Sequence, residues 1–222
     1  MHESLQTYGE EYHRRLSPYG SYGSIFEAVK YTKLWYHAWL QYVDQHLVRL
    51  KGEQKRALDV GCGMGALLSL LQERGFASYG LDRSQYILSR LRQAIDADVV
   101  ACDIQRSIPF NIGFDLITCF EVLEHLEQPE RALAHMYAAL GAEGSVCIST
   151  PFPSARARRD PTHINLNIPD VWQNMLTEVG FSNVVVTPIW CAPLIWRIGR
   201  YWSRAFPGGV RWSTSVLFTA TK

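Results

Sequence analysis

The sequence predicts an α/β protein whose core is a mostly parallel sheet, and two observations support this prediction. From residue 55 onward, short apolar stretches typical of buried strands alternate with amphipathic stretches of helical period. The first of these strands runs directly into the glycine-rich turn Gly61-Cys-Gly-Met-Gly65, which a helix follows. Strands that alternate with helices form parallel sheets with right-handed crossovers.

Strands and helices can be assigned in chain order from the same pattern. Strands are predicted in KRALDV, SYGLD, ADVVAC, FDLITCF, GSVCIST, FSNVVVT and STSVLFTAT, and helices in ALLSLLQERG, SQYILSRLRQAI, PERALAHMYAAL and PDVWQNMLTEVG. Only DIQRSIPFNIG separates the third strand from the fourth. Because this stretch is too short for a full helix, we expect a loop or a single turn there.

Two further segments accompany the predicted sheet. Residues 1–50 are expected to form a helical cap, because apolar residues recur at helical intervals between Ser24 and Leu50. Residues 51–222 form the sheet domain, in which residues 188–212 are rich in tryptophan and arginine. We expect those residues to form an amphipathic helical insertion on the substrate side. Its apolar side could roof the substrate cavity or, alternatively, lie on an anionic membrane.

Composition argues against several classes of partner. The 22 basic and 21 acidic residues leave a net charge of +1, so no overall field attracts nucleic acid or an anionic membrane. The five cysteines show neither a CxxC pair nor zinc-ligand spacing. The N-terminus carries charges where a signal peptide needs an apolar stretch, and no apolar window reaches the length of a bilayer span. We expect a cytoplasmic protein that recognises a small molecule through a local site. An oligomeric state is not predicted.

The glycine turn is the first candidate for ligand binding. In an open parallel sheet the ligand crevice lies beyond the carboxyl ends of the strands, near the point where the strand order reverses. Gly61, Gly63 and Gly65 allow the backbone to turn sharply and to approach a ligand closely. Gly61, Gly63 and Ala66 also match G-x-G-x-x-A, so these residues alone leave a nicotinamide dinucleotide open as an alternative.

Three carboxylates at successive strand ends narrow the choice of ligand. Asp59 precedes the glycines, Asp82 ends the second strand and Asp103 follows the third. An acid after the second strand can accept hydrogen bonds from both hydroxyls of a ribose, and one after the third can accept a hydrogen bond from the exocyclic amine of adenine. Asp59 stands where a cationic amino-acid group could be balanced. The alternative for each aspartate is a purely structural cap of a helix or turn.

With these residues in place, the chain resembles the class I S-adenosylmethionine-dependent methyltransferases, particularly the small-molecule branch with the ubiquinone-biosynthesis O-methyltransferases. The matching stretches are LDVGCGMG, YGLDRS, ACDIQRSIPF, FDLITCFEVLEHLEQPERAL and GSVCISTP. The resemblance implies a Rossmann-like, doubly wound, seven-stranded sheet that is mostly parallel with an antiparallel last strand. It also implies S-adenosylmethionine as the cofactor and methyl transfer as the reaction.

The resemblance assigns roles to individual residues. Asp59 would lie at the methionine moiety, Asp82 at the ribose, and Asp103 at the adenine. The cofactor site it implies consists of Asp59, Gly61, Cys62, Gly63, Gly65, Asp82, Arg83, Asp103, Ile104, Phe120 and Glu121. Glu124 and His125 of the same FEVLEHL stretch would face the substrate.

The chemistry expected at this site is an in-line displacement in which the protein supplies alignment and desolvation. If the acceptor is a hydroxyl, its proton must leave, and a histidine at the pocket mouth suits that task near neutral pH. His125, His163 and Glu124 are the candidate catalytic residues. As alternatives, His125 could be a cap or wall residue, and His163 a turn residue bonded to Asp160.

Two further functions remain open from the sequence. Glu121, Glu124, His125 and His163 resemble the Glu-x-x-Glu-His plus distal histidine of the metal-dependent small-RNA 2′-O-methyltransferases, where magnesium or manganese would suit the ligands. The second histidine-rich stretch of that family, His-x-Asp-His, is reduced here to Asp160-Pro-Thr-His163. We therefore expect no metal at the site. The other alternative is a non-catalytic protein that binds S-adenosylmethionine and regulates a partner.

Overall fold

The computed structural model describes residues 25–46, 55–191, 205–207 and 214–222. The described helices are α1 (Ile25–His46), α2 (Ala66–Gln72), α3 (Gln85–Leu91), α4 (Pro129–Ala139) and α5 (Pro169–Val179). The described strands are β1 (Arg56–Val60), β2 (Ala77–Asp82), β3 (Asp98–Ala101), β4 (Phe114–Phe120), β5 (Leu140–Pro151), β6 (Ser182–Cys191), β7 (Ala205–Pro207) and β8 (Ser215–Thr221). Two short 3-10 helices cover Leu123–His125 and Ala157–Arg159.

All described strands belong to one sheet with the order β3-β2-β1-β4-β5-β8-β6-β7. Strands β1 to β5 pair in parallel, and β8 lies antiparallel between β5 and β6. The predicted α/β class, the mostly parallel sheet and the antiparallel last strand are therefore confirmed, as is the absence of a helix between β3 and β4. The seven predicted strands are joined by an eighth, β7, which pairs antiparallel with β6. Three residues are too few to show a strand period in the sequence.

The flanking segments agree with the sequence prediction only in part. Helix α1 lies inside the range predicted for the N-terminal helix. The amphipathic helical insertion predicted for residues 188–212 is wrong at its start, because residues 188–191 belong to β6, and at residues 205–207, which form β7. Its other residues, 192–204 and 208–212, lie outside the described residues, as do residues 1–24 of the predicted cap.

The core is layered on both faces of the sheet because neighbouring strand residues point to opposite sides. On one face, Leu58 and Ile117 pack in a cluster with Trp172 of α5. On the other face, Ala57 and Leu116 pack in a cluster with residues of α1 and α2. A third cluster places α3 beside β3. Apolar residues on both faces explain the continuous hydrophobic runs of the central strands.

The strand order reverses between β1 and β4, and this reversal positions the candidate site. The two strands pair in parallel with Val60 opposite Cys119, so both end at the same edge of the sheet. The glycine turn that follows β1 and the FEVLEHL stretch that ends β4 are therefore neighbours. Among the described residues, no helix is long and apolar enough to cross a membrane.

We expect Trp172→Ala to destabilise the fold by about 3 to 5 kcal/mol, because the indole is only 1% exposed and its removal leaves a cavity in the main core cluster. Denaturant unfolding measures the change. Val171→Ala is the matched control, since the preceding residue of the same helix is 40% exposed. Equal losses in the two variants would contradict the assignment of α5 to the core.

Candidate functional site

The turn after β1 requires glycine for conformational and steric reasons. Gly61, Gly63 and Gly65 have φ angles of 73°, 49° and 80°, which L side chains rarely adopt. A Cβ atom on Gly61 would lie 2.3 Å from Cγ2 of Val122, so the turn packs directly against the segment that follows β4. Gly61 is exposed whereas residues 62 to 68 are buried. The backbone at Gly61 is therefore the accessible tip of the turn.

Asp82 braces the glycine turn at the end of β2. Its Oδ2 accepts a hydrogen bond from the Gly63 amide at 3.0 Å, and its Oδ1 accepts one from the Ser84 amide at 2.8 Å. Burial raises the pKa of Asp82, while these two hydrogen bonds and the charge of Arg83 oppose the shift. Each carboxylate oxygen has a further acceptor position. Asp82 is thus placed both to fix the turn and to accept from a ligand diol.

Asp59 is buried behind the turn. The residue is 2% exposed, and its Oδ1 accepts a hydrogen bond from the Thr118 hydroxyl at 2.8 Å. Burial raises the pKa of Asp59 to about 8, the Thr118 bond opposes this, and the charge of Asp82 adds to it. No ion pair with Asp59 is formed within the part of the chain that the structure describes. A cationic ligand group beside the carboxylate would supply the missing charge.

Asp103 and Ile104 follow β3 at the same edge. The Cys102 amide donates to the Asp82 carbonyl at 3.0 Å, which holds this loop beside the end of β2. Asp103 Oδ1 accepts from the Gln105 amide at 3.0 Å, an Asx-turn contact of the structural kind that the sequence left open. His135 Nδ1 lies 2.6 Å from the Ile104 carbonyl oxygen, a contact from α4 that the sequence did not predict.

Phe120 links the N-terminal helix to the site. Its ring lies 5.4 Å from the rings of both Tyr36 and Trp39, measured between centroids. Tyr36 and Trp39 belong to α1, so this helix lies over the carboxyl end of β4. The contact supports the view that α1 is part of the wall around the site rather than a separate unit.

Glu121 directly follows β4 in a strained backbone conformation. Its φ of 57° is unusual for a side chain of this size. The amide donates to the Ser149 carbonyl at 3.0 Å, and Oε1 accepts from the Ser149 hydroxyl at 2.9 Å. Burial raises the pKa of Glu121 to about 7, against the effect of hydrogen bonds from Ser149 and Ser215. Strain of this kind is maintained where a side chain must be held in one position.

Glu124 lies in the 3-10 helix Leu123–His125 and is completely buried. Neither carboxylate oxygen has a hydrogen-bond partner among the residues that the structure describes. Burial raises the pKa of Glu124 well above its ordinary value, and the charge of Glu121 raises it further. A buried carboxylate without partners destabilises the fold unless a cation or proton compensates it. The raised pKa means that a proton on the carboxyl group reduces this cost in the free protein.

His125 and His163 meet across the site, with ring centroids 4.7 Å apart. His125 Nδ1 lies 3.1 Å from the Thr162 carbonyl oxygen and 2.9 Å from the Thr162 hydroxyl oxygen. That hydroxyl donates to Asp160 Oδ1 at 2.6 Å, so it accepts from His125. His163 Nδ1 lies 2.8 Å from the Ala157 carbonyl oxygen. Because a carbonyl oxygen can only accept a hydrogen bond, the ring nitrogen that faces it must donate, which assigns the proton of each neutral ring to Nδ1.

The loop that carries His163 is tied to the 3-10 helix that carries His125. The Asn165 amide donates to the Glu124 carbonyl at 2.9 Å, and the Asn165 side-chain amide donates to the Leu126 carbonyl. Sequence reasoning missed Asn165 and Thr162, because a polar residue in a loop gives no periodic signal. Their role is to join the two segments by hydrogen bonds, which depends on the tertiary structure.

Arg83 affects titratable groups in both halves of the site. Its positive charge lowers the pKa of both Asp82 and His125. Burial is the larger cause at His125, whose pKa falls to about 4, so the imidazole is neutral at physiological pH. The predicted site residues therefore converge at one edge of the sheet, with the glycine turn and three aspartates on one side and Glu121, Glu124 and the two histidines on the other.

A family model described as a methyltransferase domain matches residues 33–186, which is most of the chain. The chain belongs to this methyltransferase family. Among curated proteins, it is 32% identical over 123 residues to a ubiquinone biosynthesis O-methyltransferase of Coxiella burnetii, covering 50% of this chain and 48% of the relative. A protein of the same name from Acinetobacter baylyi is 30% identical over 118 residues, covering 50% and 49%. The chain thus spans about half the length of the curated relatives it matches.

Solved structures share the fold at lower identity. A methyltransferase from Archaeoglobus fulgidus, described as S-adenosylmethionine-dependent, aligns with a TM-score of 0.67 and 21% identity over 87% of this chain and 94% of that one. A magnesium protoporphyrin IX methyltransferase from Synechocystis, solved with bound S-adenosylmethionine, aligns with a TM-score of 0.57 and 17% identity, covering 89% and 81%. These likenesses establish the Rossmann-like methyltransferase fold that the sequence predicted.

We expect Asp59→Asn to stabilise the cofactor-free protein increasingly as the pH rises. The folded-state pKa of Asp59 lies above its unfolded value, so its contribution to stability is fully present below about pH 4 and is lost as the pH rises through about 8. Asparagine does not ionise and keeps an oxygen for Thr118. The stability difference between variant and wild type should grow by on the order of 3 kcal/mol between pH 5 and pH 8.5.

Denaturant unfolding at several pH values, without cofactor, measures this difference. The exposed Asp96→Asn serves as the control for the loss of one negative charge. A stability difference for Asp59→Asn that does not change over this range would show that the carboxylate is compensated in the free protein.

Proposed function

We propose that the protein is an S-adenosylmethionine-dependent methyltransferase whose acceptor is a hydroxyl group of a small molecule. The observation that supports it best is the buried Asp59 carboxylate behind the accessible glycine turn, which forms no ion pair with any residue that the structure describes. S-adenosylmethionine has a cationic amino-acid group that would compensate Asp59 and a ribose diol that would bond to Asp82. A nicotinamide dinucleotide would instead place a pyrophosphate near these carboxylates, which charge disfavours.

The cofactor, when bound, supplies a methyl group on a positively charged sulfur. Asp103 would accept a hydrogen bond from the exocyclic amine of adenine, and Ile104 would pack against the adenine ring. Phe120 and Glu121 would border the cofactor at the end of β4. By fixing the cofactor in one orientation and excluding water, these residues bring the methyl carbon in line with the acceptor.

The acceptor site is the cluster of Glu124, His125 and His163. In the reaction, the acceptor oxygen would form a bond to the methyl carbon as the carbon–sulfur bond breaks, and that electron pair would stay on sulfur. The hydroxyl proton is taken up by the unprotonated Nε2 of His125, which the Thr162 contact orients. Oxygen as the acceptor atom is supported by the name of the curated relatives, O-methyltransferases.

RNA 2′-O-methylation is less well supported as the function. Proteins that bind RNA neutralise several phosphates with basic residues, whereas in this chain 21 acidic residues nearly balance the charge of the 22 basic ones. A non-catalytic role as a cofactor-binding regulator would not explain why the rings of His125 and His163 are held in one orientation. Turnover of methyl-labelled cofactor with a panel of phenols and catechols distinguishes a small-molecule methyltransferase from such a regulator, because a pure binder saturates without forming product.

We expect Asp82→Asn to weaken S-adenosylhomocysteine binding about 10- to 100-fold, because hydrogen bonds to a charged carboxylate are lost. Isothermal titration calorimetry measures the affinity, with NAD and NADP as comparison ligands that should give no heat. Asp115→Asn is a matched control, since Asp115 also accepts from a backbone amide, that of Arg56 at 2.8 Å, but lies at the opposite end of the strands. Wild-type affinity in Asp82→Asn would contradict the proposed cofactor position.

We expect His125→Gln to lower kcat for methyl transfer by about 10²- to 10⁴-fold while leaving the affinity for S-adenosylhomocysteine unchanged. Glutamine keeps an amide donor for Thr162 but has no basic nitrogen. Because the pKa of His125 is lowered to about 4, its protonation should not slow the wild type between pH 8 and pH 6. A kcat equal to that of the wild type would make His125 a wall residue.

A further inference from the structure

The loop that follows β3 is held against the start and the middle of α4 by two hydrogen bonds. His135 Nδ1 lies 2.6 Å from the Ile104 carbonyl oxygen, and because a carbonyl oxygen only accepts, this ring nitrogen donates. The amide of Gln128, which directly precedes α4, donates to Gln105 Oε1 at 2.8 Å. Ile104 is 4% exposed and belongs to the same core cluster as Leu133 of α4. The loop therefore has a defined position on this helix.

One peptide group of the loop is held at both ends. It joins Ile104 to Gln105, and its carbonyl oxygen accepts from His135 while its N–H donates to Asp103 Oδ1 at 3.0 Å. Because a peptide group is planar, hydrogen bonds on its two opposite sides fix its orientation. His135 therefore helps to set the position of the Asp103 carboxylate through this peptide group.

The side chain of Gln105 makes a second connection between α4 and the same carboxylate. Its Oε1 accepts from the Gln128 amide, and its Nε2 donates to Asp103 Oδ1 at 3.4 Å. Oδ1 thus receives two hydrogen bonds from one residue. Within the described part of the chain no group donates to Oδ2. That oxygen is left for a donor on a ligand.

Backbone hydrogen bonds fix the loop to the rest of the cofactor side. The amides of Arg106 and Ser107 donate to the Asp103 carbonyl at 2.9 and 3.3 Å, which closes a turn on this residue. The Cys102 amide donates to the Asp82 carbonyl at 3.0 Å, so the loop starts at a fixed place beside the end of β2. The backbone thus positions the loop, and the side-chain contacts from α4 orient the carboxylate within it.

We propose that Gln105 and His135 are positioning residues that determine the preference of the site for adenine over other purines. The inference rests on the proposed function, in which Asp103 accepts a hydrogen bond from the exocyclic amine of adenine. A carboxylate that is held at the position of this amine stays unpaired when the ligand has no donor there, and this costs binding free energy. Hypoxanthine has a carbonyl oxygen in place of the amine, so a fixed carboxylate repels it.

The test compares the affinities for S-adenosylhomocysteine and for S-inosylhomocysteine, in which a carbonyl oxygen replaces the amine. Isothermal titration calorimetry measures the first, and competition against the first measures the second. The wild type should prefer S-adenosylhomocysteine at least about tenfold. Gln105→Leu and His135→Phe should each weaken S-adenosylhomocysteine binding about 3- to 10-fold and lower the preference by a similar factor. His135→Asn, whose side-chain amide replaces the Nδ1 donor, should retain most of the preference.

Arg131→Gln is the matched control, because Arg131 is exposed on the same helix, and it should keep the wild-type preference. A double variant separates positioning from a general loss of structure. Asp103→Asn should lower the preference by itself, and the addition of Gln105→Leu should lower it no further. Gln105 is partly exposed, so its variant tests the inference even if His135→Phe does not fold.

Two results would overturn the inference while leaving the proposed function in place. One is an unchanged preference in Gln105→Leu, and the other is an equal weakening of both ligands in that variant, in each case with S-adenosylhomocysteine bound by the wild type. Absence of S-adenosylhomocysteine binding by the wild type would instead contradict the proposed function, and the inference with it.

Discussion

The pairing of β1 with β4 is the constraint on which the candidate site depends. These strands are separated in the sequence by β2 and β3, yet they lie side by side and end at the same edge of the sheet. Their pairing brings the Thr118 hydroxyl onto the Asp59 carboxylate and places Val122 where it would meet any side chain at position 61. The two sides of the candidate site, where the cofactor and the acceptor are proposed to bind, are thus parts of one packed unit.

Several buried carboxylates at this edge make the free protein less stable than it could be. Burial raises the pKa of Asp59, Asp82, Glu121 and Glu124, and each charged form is costly in an apolar surrounding. Such groups are expected where a ligand supplies the missing charges, because ligand binding then recovers the free energy that folding has lost. In the proposed function, the cationic amino-acid group of S-adenosylmethionine plays this part beside Asp59.

Much of this arrangement could be predicted from the sequence because its signals are local. The glycine turn and the acids at the ends of β1 and β2 lie within one short strand–turn–helix–strand unit, and their spacing defines their positions. The contact between His125 and His163 could not be derived in this way, since it depends on a loop that folds back through Thr162 and Asn165. The strand β7 escaped prediction because three residues show no period, and the amphipathic pattern around it is equally compatible with a helix.

The proposed proton transfer depends on the lone pair of one ring nitrogen of His125. The Thr162 carbonyl fixes the proton of this ring on Nδ1, so Nε2 is the nitrogen that can accept. Burial, the charge of His163 and the charge of Arg83 all lower the pKa of His125, so the ring is neutral before the reaction. A neutral ring can take up the hydroxyl proton, whereas a ring that is protonated at rest could not. The surroundings that make His125 a weak base therefore also keep it in the protonation state that a base requires.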